Sequence, residues 1–185
     1  MKKICTVCAL ALFLSFIFTP TVFAAEQPSS TPALKPATGH PWASLNPGSW
    51  VEIKSTTVIE TAGKRETNIV ITKITLLEKT VEKVVLENEM TVKGQTTRTK
   101  FDLPVKDYSD AVPEGMTVLK TGSETITIAG KSVTCETMEA SMNAGGSKIL
   151  IKRWTSRQVP GSLVKSVTSS KGSQTTADVV DFKTY

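Results

Sequence analysis

The sequence predicts an all-β fold: an antiparallel meander of about nine strands, curled into a barrel or half-open barrel. Three observations carry this. Runs rich in Thr, Val and Ile recur from residue 50 to 183. Short Gly-containing segments punctuate them. No apolar stripe with a 3.6-residue period occurs after residue 24.

The expected strands are 50–61, 65–78, 81–92, 95–103, 123–129, 132–142, 147–155, 162–170 and 174–183. Between them lie Ala62-Gly63-Lys64, Lys93-Gly94, Ala129-Gly130-Lys131, Asn143 to Gly146, Pro160-Gly161 and Lys171-Gly172. Connections this short force antiparallel pairing, because a parallel crossover needs about a dozen residues or more. Several runs alternate strongly enough to assign faces. Val84, Leu86, Met90 and Val92 oppose Lys83, Glu87, Glu89 and Thr91, and Ile126 and Ile128 oppose Thr125 and Thr127. Ile149 and Ile151 oppose Lys148 and Lys152, with Leu150 and Trp154 on the lysine side. The run 69–77 is apolar on both faces, which predicts a central strand covered twice. Residues 104–122 break the rhythm and are too long for a hairpin turn. They are read either as a bridge between two halves of the sheet or as a lid carrying Tyr108 and Met116.

The N-terminus has the form of a secretory signal peptide over residues 1–24. Lys2 and Lys3 precede an apolar run from Ile4 to Phe18, and Val22-Phe23-Ala24 offers small residues for cleavage after Ala24 or Ala25. The apolar run falls short of the roughly 20 residues that a membrane helix needs. Cys5 and Cys8 stand at its front edge rather than after it, so a lipid anchor does not fit. Cleavage removes both and leaves Cys135 alone, so the mature chain has no internal disulfide. It also removes two lysines, which leaves 20 basic against 17 acidic residues and a net charge of +3. Residues 25–47 carry five prolines among Ser, Thr and Ala and read as a flexible linker ending in His40-Pro41-Trp42. A single β domain is then expected over residues 48–185. The mature chain is expected to be exported to the periplasm or the exterior, without spanning the membrane.

Few residues offer catalytic chemistry. His40 is the single histidine and sits in the proline-rich segment, away from any rigid scaffold for a nucleophile. One histidine and one mature cysteine do not make a zinc site. Asp107 with Asp110, and Glu136 with Glu139, are carboxylate pairs of the kind common on solvated surfaces. No glycine loop precedes a helix to cradle a phosphate. Cys135 shares its face with Val133 and Thr137 and has no cation beside it to lower its pKa, so it reads as a buried strand residue. No enzyme activity and no cofactor are expected. The strongest charge feature is an acid-free stretch from Ala140 to Ala177 that contains Lys148, Lys152, Arg153, Arg157, Lys165 and Lys171. These are either ordinary solubilising charges or a patch for an anionic partner such as lipid headgroups, polysaccharide or an acidic protein. Nucleic acid is not an expected partner, because no aromatic residues interleave the charges.

Three segments together resemble a group of uncharacterised exported bacterial β-meander proteins. They are His40-Pro41-Trp42 with Pro47-Gly48-Ser49-Trp50-Val51, Thr127 to Cys135 with its Gly130-Lys131 turn, and Trp154-Thr155-Ser156 followed by Val159-Pro160-Gly161-Ser162-Leu163-Val164-Lys165. The resemblance implies a secreted β domain and no activity. More distantly, the tryptophan strand, Pro-Gly turn and Val-Lys strand resemble the later strands of periplasmic lipoprotein-carrier-like half-barrels, which hold acyl chains in a curved sheet. This chain departs from them in showing no plug helices.

Two functions follow as expectations. The first is a non-catalytic envelope protein that binds an apolar or amphiphilic ligand, such as a lipid, in the curled sheet. It requires a cavity on the order of a few hundred Å³ open under residues 104–122, and a sheet interior filled by side chains would exclude it. The second is a structural or assembly module that meets an envelope protein through a strand edge or the basic patch.

Overall fold

A computed structural model describes residues 39–106 and 112–185 of the chain. The signal-peptide segment 1–24, linker residues 25–38, Asp107, Tyr108 and Asp110 lie outside the described residues. Nine strands follow in chain order: β1 (Trp50–Thr61), β2 (Lys64–Lys79), β3 (Lys83–Val92), β4 (Gln95–Pro104), β5 (Met116–Ile128), β6 (Lys131–Ala144), β7 (Ser147–Thr155), β8 (Leu163–Ser170) and β9 (Ser173–Lys183). They form one antiparallel sheet in the order β4-β3-β2-β1-β9-β8-β7-β6-β5. The end strands β4 and β5 are not paired with each other, so the sheet is open rather than a closed barrel.

Turn chemistry explains the local pairing. Thr61 pairs with Lys64 and Ile128 with Lys131, so each loop between them is only two residues long. Ala62-Gly63 and Ala129-Gly130 both take positive φ throughout (50° and 76°, 47° and 78°), the handedness that matches the right-handed twist of the flanking strands. The alanines there occupy a region unfavourable to a residue with a Cβ. Four register shifts break the regular ladder, at Glu52/Ile53, Leu76/Glu78, Val118/Lys120 and Trp154/Thr155. Bulges of this kind add twist and bend a sheet.

The core gathers at one end of the strands. Val51, Leu76, Val84, Leu86, Val179 and Phe182 meet Ile128, Val133, Cys135, Trp154, Val159 and Val164 in a single buried cluster. Leu76, Leu86, Val51, Val84 and Val133 are essentially inaccessible, so side chains fill this end of the sheet. Trp42 belongs to the same cluster and Leu45 packs against it. His40 is buried as well, with its Nδ1 accepting a hydrogen bond from the Trp42 amide at 3.3 Å. The Gly48 amide donates to the Leu76 carbonyl, and the Leu76 amide to the Ser49 carbonyl, both at 2.8 Å. Packed residues therefore begin before Gly48, within the segment that composition alone reads as linker. The large indole at position 42 is what ties it down.

Two further expectations are corrected. The break between β4 and β5 covers residues 105–115 rather than 104–122, because β5 starts at Met116. Met116 thus opens a strand, opposite Met142. Gly122 hides the first half of β5 from a composition-based reading. Its missing side chain leaves room for Thr137, whose Oγ1 would lie 3.1 Å from any Cβ there. Strand β2 lies between β1 and β3 as expected of the run 69–77, yet it is not covered on both faces. Ile69 and Ile71 remain 47% and 40% exposed.

Candidate functional site

Residues paired across an antiparallel ladder point to the same face, so the registers define cross-sheet rows of side chains. One row crosses all nine strands: Gln95, Val92, Val70, Ser55, Ala177, Ser166, Arg153, Met138 and Thr121. The next row on that face runs Asn68, Thr57, Thr175, Thr168, Ile151, Ala140 and Val118. Arg153 is the one charge in these two rows. Otherwise these two rows are built of aliphatic, methionine, hydroxyl and amide side chains, half-buried over most of their width, and the carboxylate of Glu136 stands in the adjoining row. Thr57 and Thr175 are within hydrogen-bond distance at 3.0 Å across the β1–β9 junction.

The opposite face has the reverse character. One of its rows reads Thr96, Thr91, Ile71, Lys54, Asp178, Lys165, Trp154, Thr137 and Gly122. Another reads Ile69, Thr56, Thr176, Val167, Lys152, Glu139 and Lys120. Basic and acidic residues alternate along both. Lys165 pairs with Asp178 at 3.0 Å and Lys152 with Glu139 at 3.1 Å. Both ammonium groups also lie over the Trp154 ring, 5.6 and 4.8 Å from its centroid. The Trp154 Nε1 donates to Glu124 Oε2 at 3.0 Å. Lysines and ring thus form one closed electrostatic set.

This arrangement redistributes the six cations of the acid-free stretch. Only Lys152 and Lys165 come together, and Glu139 and Asp178, which bound that stretch in the sequence, pair with them. Lys148 is exposed on the Lys152 face, opposite Asn143. Lys171 is exposed in the β8–β9 turn. Arg157 is exposed in the β7–β8 connection, and Arg153 points to the face of Met138 and Ser166. Cys135 is a free, fully buried thiol, and burial raises its pKa, with the Glu124 carboxylate adding to the effect.

The cavity expected beneath residues 104–122 takes a different form. A recess of about 310 Å³ opens beside Val105, at the start of the β4–β5 connection, with Gly39, His40, Arg157 and Ser162 among its walls. Its lining is mixed rather than apolar. A second recess, about 340 Å³, lies at the β3–β4 turn over Ile69, Ile71 and Val92. No group of three or more His, Cys, Asp or Glu able to hold a metal occurs among the described residues. No helix among them is long and apolar enough to cross a membrane.

Sequence reasoning missed the two weakly charged rows that cross the sheet. The alternation within β3, β5 and β7 was visible, but joining it across strands needs the registers. Those pass through four bulges and the long-range β1–β9 pairing.

No family model and no curated protein sequence matches the chain. Three solved structures show similarity over 74% of it. PNGF-II matches at 15% identity and a TM-score of 0.32, and the aligned part spans 28% of PNGF-II's length. A domain from Vibrio parahaemolyticus, described as that of an outer membrane lipoprotein-sorting protein, matches at 11% identity and a TM-score of 0.23 over 85% of its length. A DUF1329 family protein from Desulfovibrio piger matches at 9% identity and a TM-score of 0.22 over 86% of its length. At these values the likeness carries no argument about function.

Proposed function

We propose that this protein is a non-catalytic, exported protein of the cell envelope that binds an apolar or amphiphilic ligand on the face of its open sheet that carries Val70, Met138 and Ile151. The carrying observation is the contrast between the two faces. In the mid-sheet rows of one face, basic and acidic residues alternate and pair around Trp154. The other keeps Val70, Val92, Met138, Ile151 and Val118 half-buried among serines and threonines, beyond the packed core. Aliphatic and methionine side chains supply an adaptable apolar surface, and hydroxyls serve the polar atoms of an amphiphile. The ligand lies on this face rather than in an enclosed interior, because side chains fill the packed end.

Export rests on the basic, apolar and small-residue pattern of residues 1–24. Absence of catalysis is in keeping with His40, a largely buried side chain whose Nδ1 accepts from the Trp42 amide. The alternative, an assembly module acting through a strand edge, has the edges of β4 and β5 to offer. Both carry features that oppose strand addition: Arg98 and Lys100 on β4, and the Val118/Lys120 shift on β5.

Native mass spectrometry of the protein purified from its own envelope fraction tests the reading. A co-purifying amphiphile, displaced by detergent and absent from a Val70→Asp/Ile151→Asp double variant that still folds, is the expected result. A stoichiometric protein partner with no small ligand would replace ligand binding with the assembly role.

A further inference from the structure

We infer that the ligand is an anionic single-chain amphiphile, with its head on Arg153 and its chain along the aliphatic and methionine side chains of β6 and β7. This rests on the binding reading above and specifies the ligand's charge and orientation.

Arg153 is isolated in two respects. It is the one charge in the two rows that cross the sheet through Ser55 and Thr57. It also makes no ion pair: the four salt bridges among the described residues all lie elsewhere, and Glu136, diagonal to it on β6, does not reach it. Lys152 and Lys165, by contrast, have carboxylate partners on the opposite face. The exposed guanidinium has Met138 and Ser166 beside it and Ile151 in the row toward the β6–β7 turn, with Thr155 and Glu136 in the row on its other side, so the apolar side chains lie to one side of the cation. Its planar fork of donors suits a carboxylate or sulfate, which it can grip through two parallel hydrogen bonds. From Arg153 the accessible apolar side chains continue toward the β6–β7 turn through Ile151 to Ile149 and Met142. These two steps of two residues cover roughly 13 Å at about 3.3 Å per residue, the length of an alkyl chain of about ten carbons.

The test is isothermal titration calorimetry of the purified protein with dodecanoate and with dodecan-1-ol, which share a chain and differ in charge. Three variants accompany it: Arg153→Gln, Arg153→Lys, and Lys148→Gln as a charge-matched change on the other face. Arg153 is exposed, so these variants retain the wild-type fold, checked by circular dichroism. The expected result is dodecanoate binding that weakens about tenfold or more in Arg153→Gln. Arg153→Lys, which keeps the charge and loses the two parallel hydrogen bonds, weakens binding by an intermediate amount, and Lys148→Gln is unchanged. Dodecanol affinity is the same in all four proteins. Equal binding of both probes, insensitive to Arg153→Gln, overturns the anionic head while leaving the apolar surface in place. An equal loss in Lys148→Gln overturns it too, because the effect is then one of net charge. Binding of neither probe overturns the ligand-binding reading itself.

Discussion

Replacing Trp42 by alanine tests whether the segment before Gly48 is part of the folding unit. Trp42 is 4% exposed and joins the buried cluster. Its indole lies against Gly161, where an added Cβ would stand 3.2 Å from Nε1. A buried tryptophan removes about 200 Å² from water, which at about 25 cal/mol/Å² bounds the transfer gain near 5 kcal/mol. Truncating large aromatics in cores costs about 3–5 kcal/mol, and Trp42 packs directly on Gly161 of the β7–β8 connection. The expected loss is therefore about 3–5 kcal/mol, a large share of the roughly 5–15 kcal/mol of a typical domain. The assay is equilibrium urea unfolding followed by tryptophan fluorescence and circular dichroism. With a slope of about 1–3 kcal/mol/M, the midpoint falls by about 1 M or more. Ser44→Ala, at an exposed position two residues on, should leave it within experimental error. A Trp42→Ala loss below about 1 kcal/mol at unchanged slope would refute the reasoning and return residues 39–47 to the status of a linker.

Three further outcomes are expected. Ala129→Gly relieves the positive φ of 47° in the β5–β6 turn and should raise stability by about 0.5–1 kcal/mol in the same urea assay, whereas a loss would show that the turn holds no strain. A double-mutant cycle on Glu139→Gln and Lys152→Gln should give a coupling below about 1 kcal/mol that shrinks in 1 M salt, because both side chains are 40% exposed. Cys135 should resist a thiol reagent at pH 8 in the folded state and react readily in urea, since burial keeps the thiol protonated. The folded chain holds this proton where the unfolded chain releases it. Its contribution to stability is therefore full below the ordinary thiol range and is lost as pH rises through it, until the raised folded value is passed.

Strand existence was legible because each turn carries its own chemistry. Ala62-Gly63, Lys93-Gly94 and Ala129-Gly130 mark hairpins whatever the rest of the chain does. The alternation of Val84 and Leu86 against Lys83 and Glu87 likewise fixed the core face of β3. Positions governed by tertiary context were not legible. Trp42 lies in a proline-rich stretch and becomes a core residue only through its packing on the β7–β8 connection at Gly161. Ile69 and Ile71 look like core and are exposed, because nothing covers that face of β2 among the described residues. The cations between Ala140 and Ala177 formed a patch in one dimension only, since strand pairing sets Lys152 beside Glu139 and Lys165 beside Asp178. Arg153 became distinct once the registers separated it from them.

The order β4-β3-β2-β1-β9-β8-β7-β6-β5 has a topological consequence. Of the eight strand pairings, seven join sequence neighbours, and the β1–β9 seam alone brings distant parts of the chain together. Trp50 sits opposite Lys183 at that seam, and the Asn46 amide donates to the Tyr185 carbonyl at 3.3 Å. A circular permutant joined across the seam and opened between residues 105 and 115 would read β5 to β9 and then β1 to β4, with every strand paired only to its neighbour in sequence. The native chain must close a loop of more than a hundred residues to form the seam, and in the permutant the seam is closed by a local connection that retains residues 39–49. Because loop-closure entropy and contact order govern how fast such sheets form, the permutant should keep the same native sheet and reach it faster.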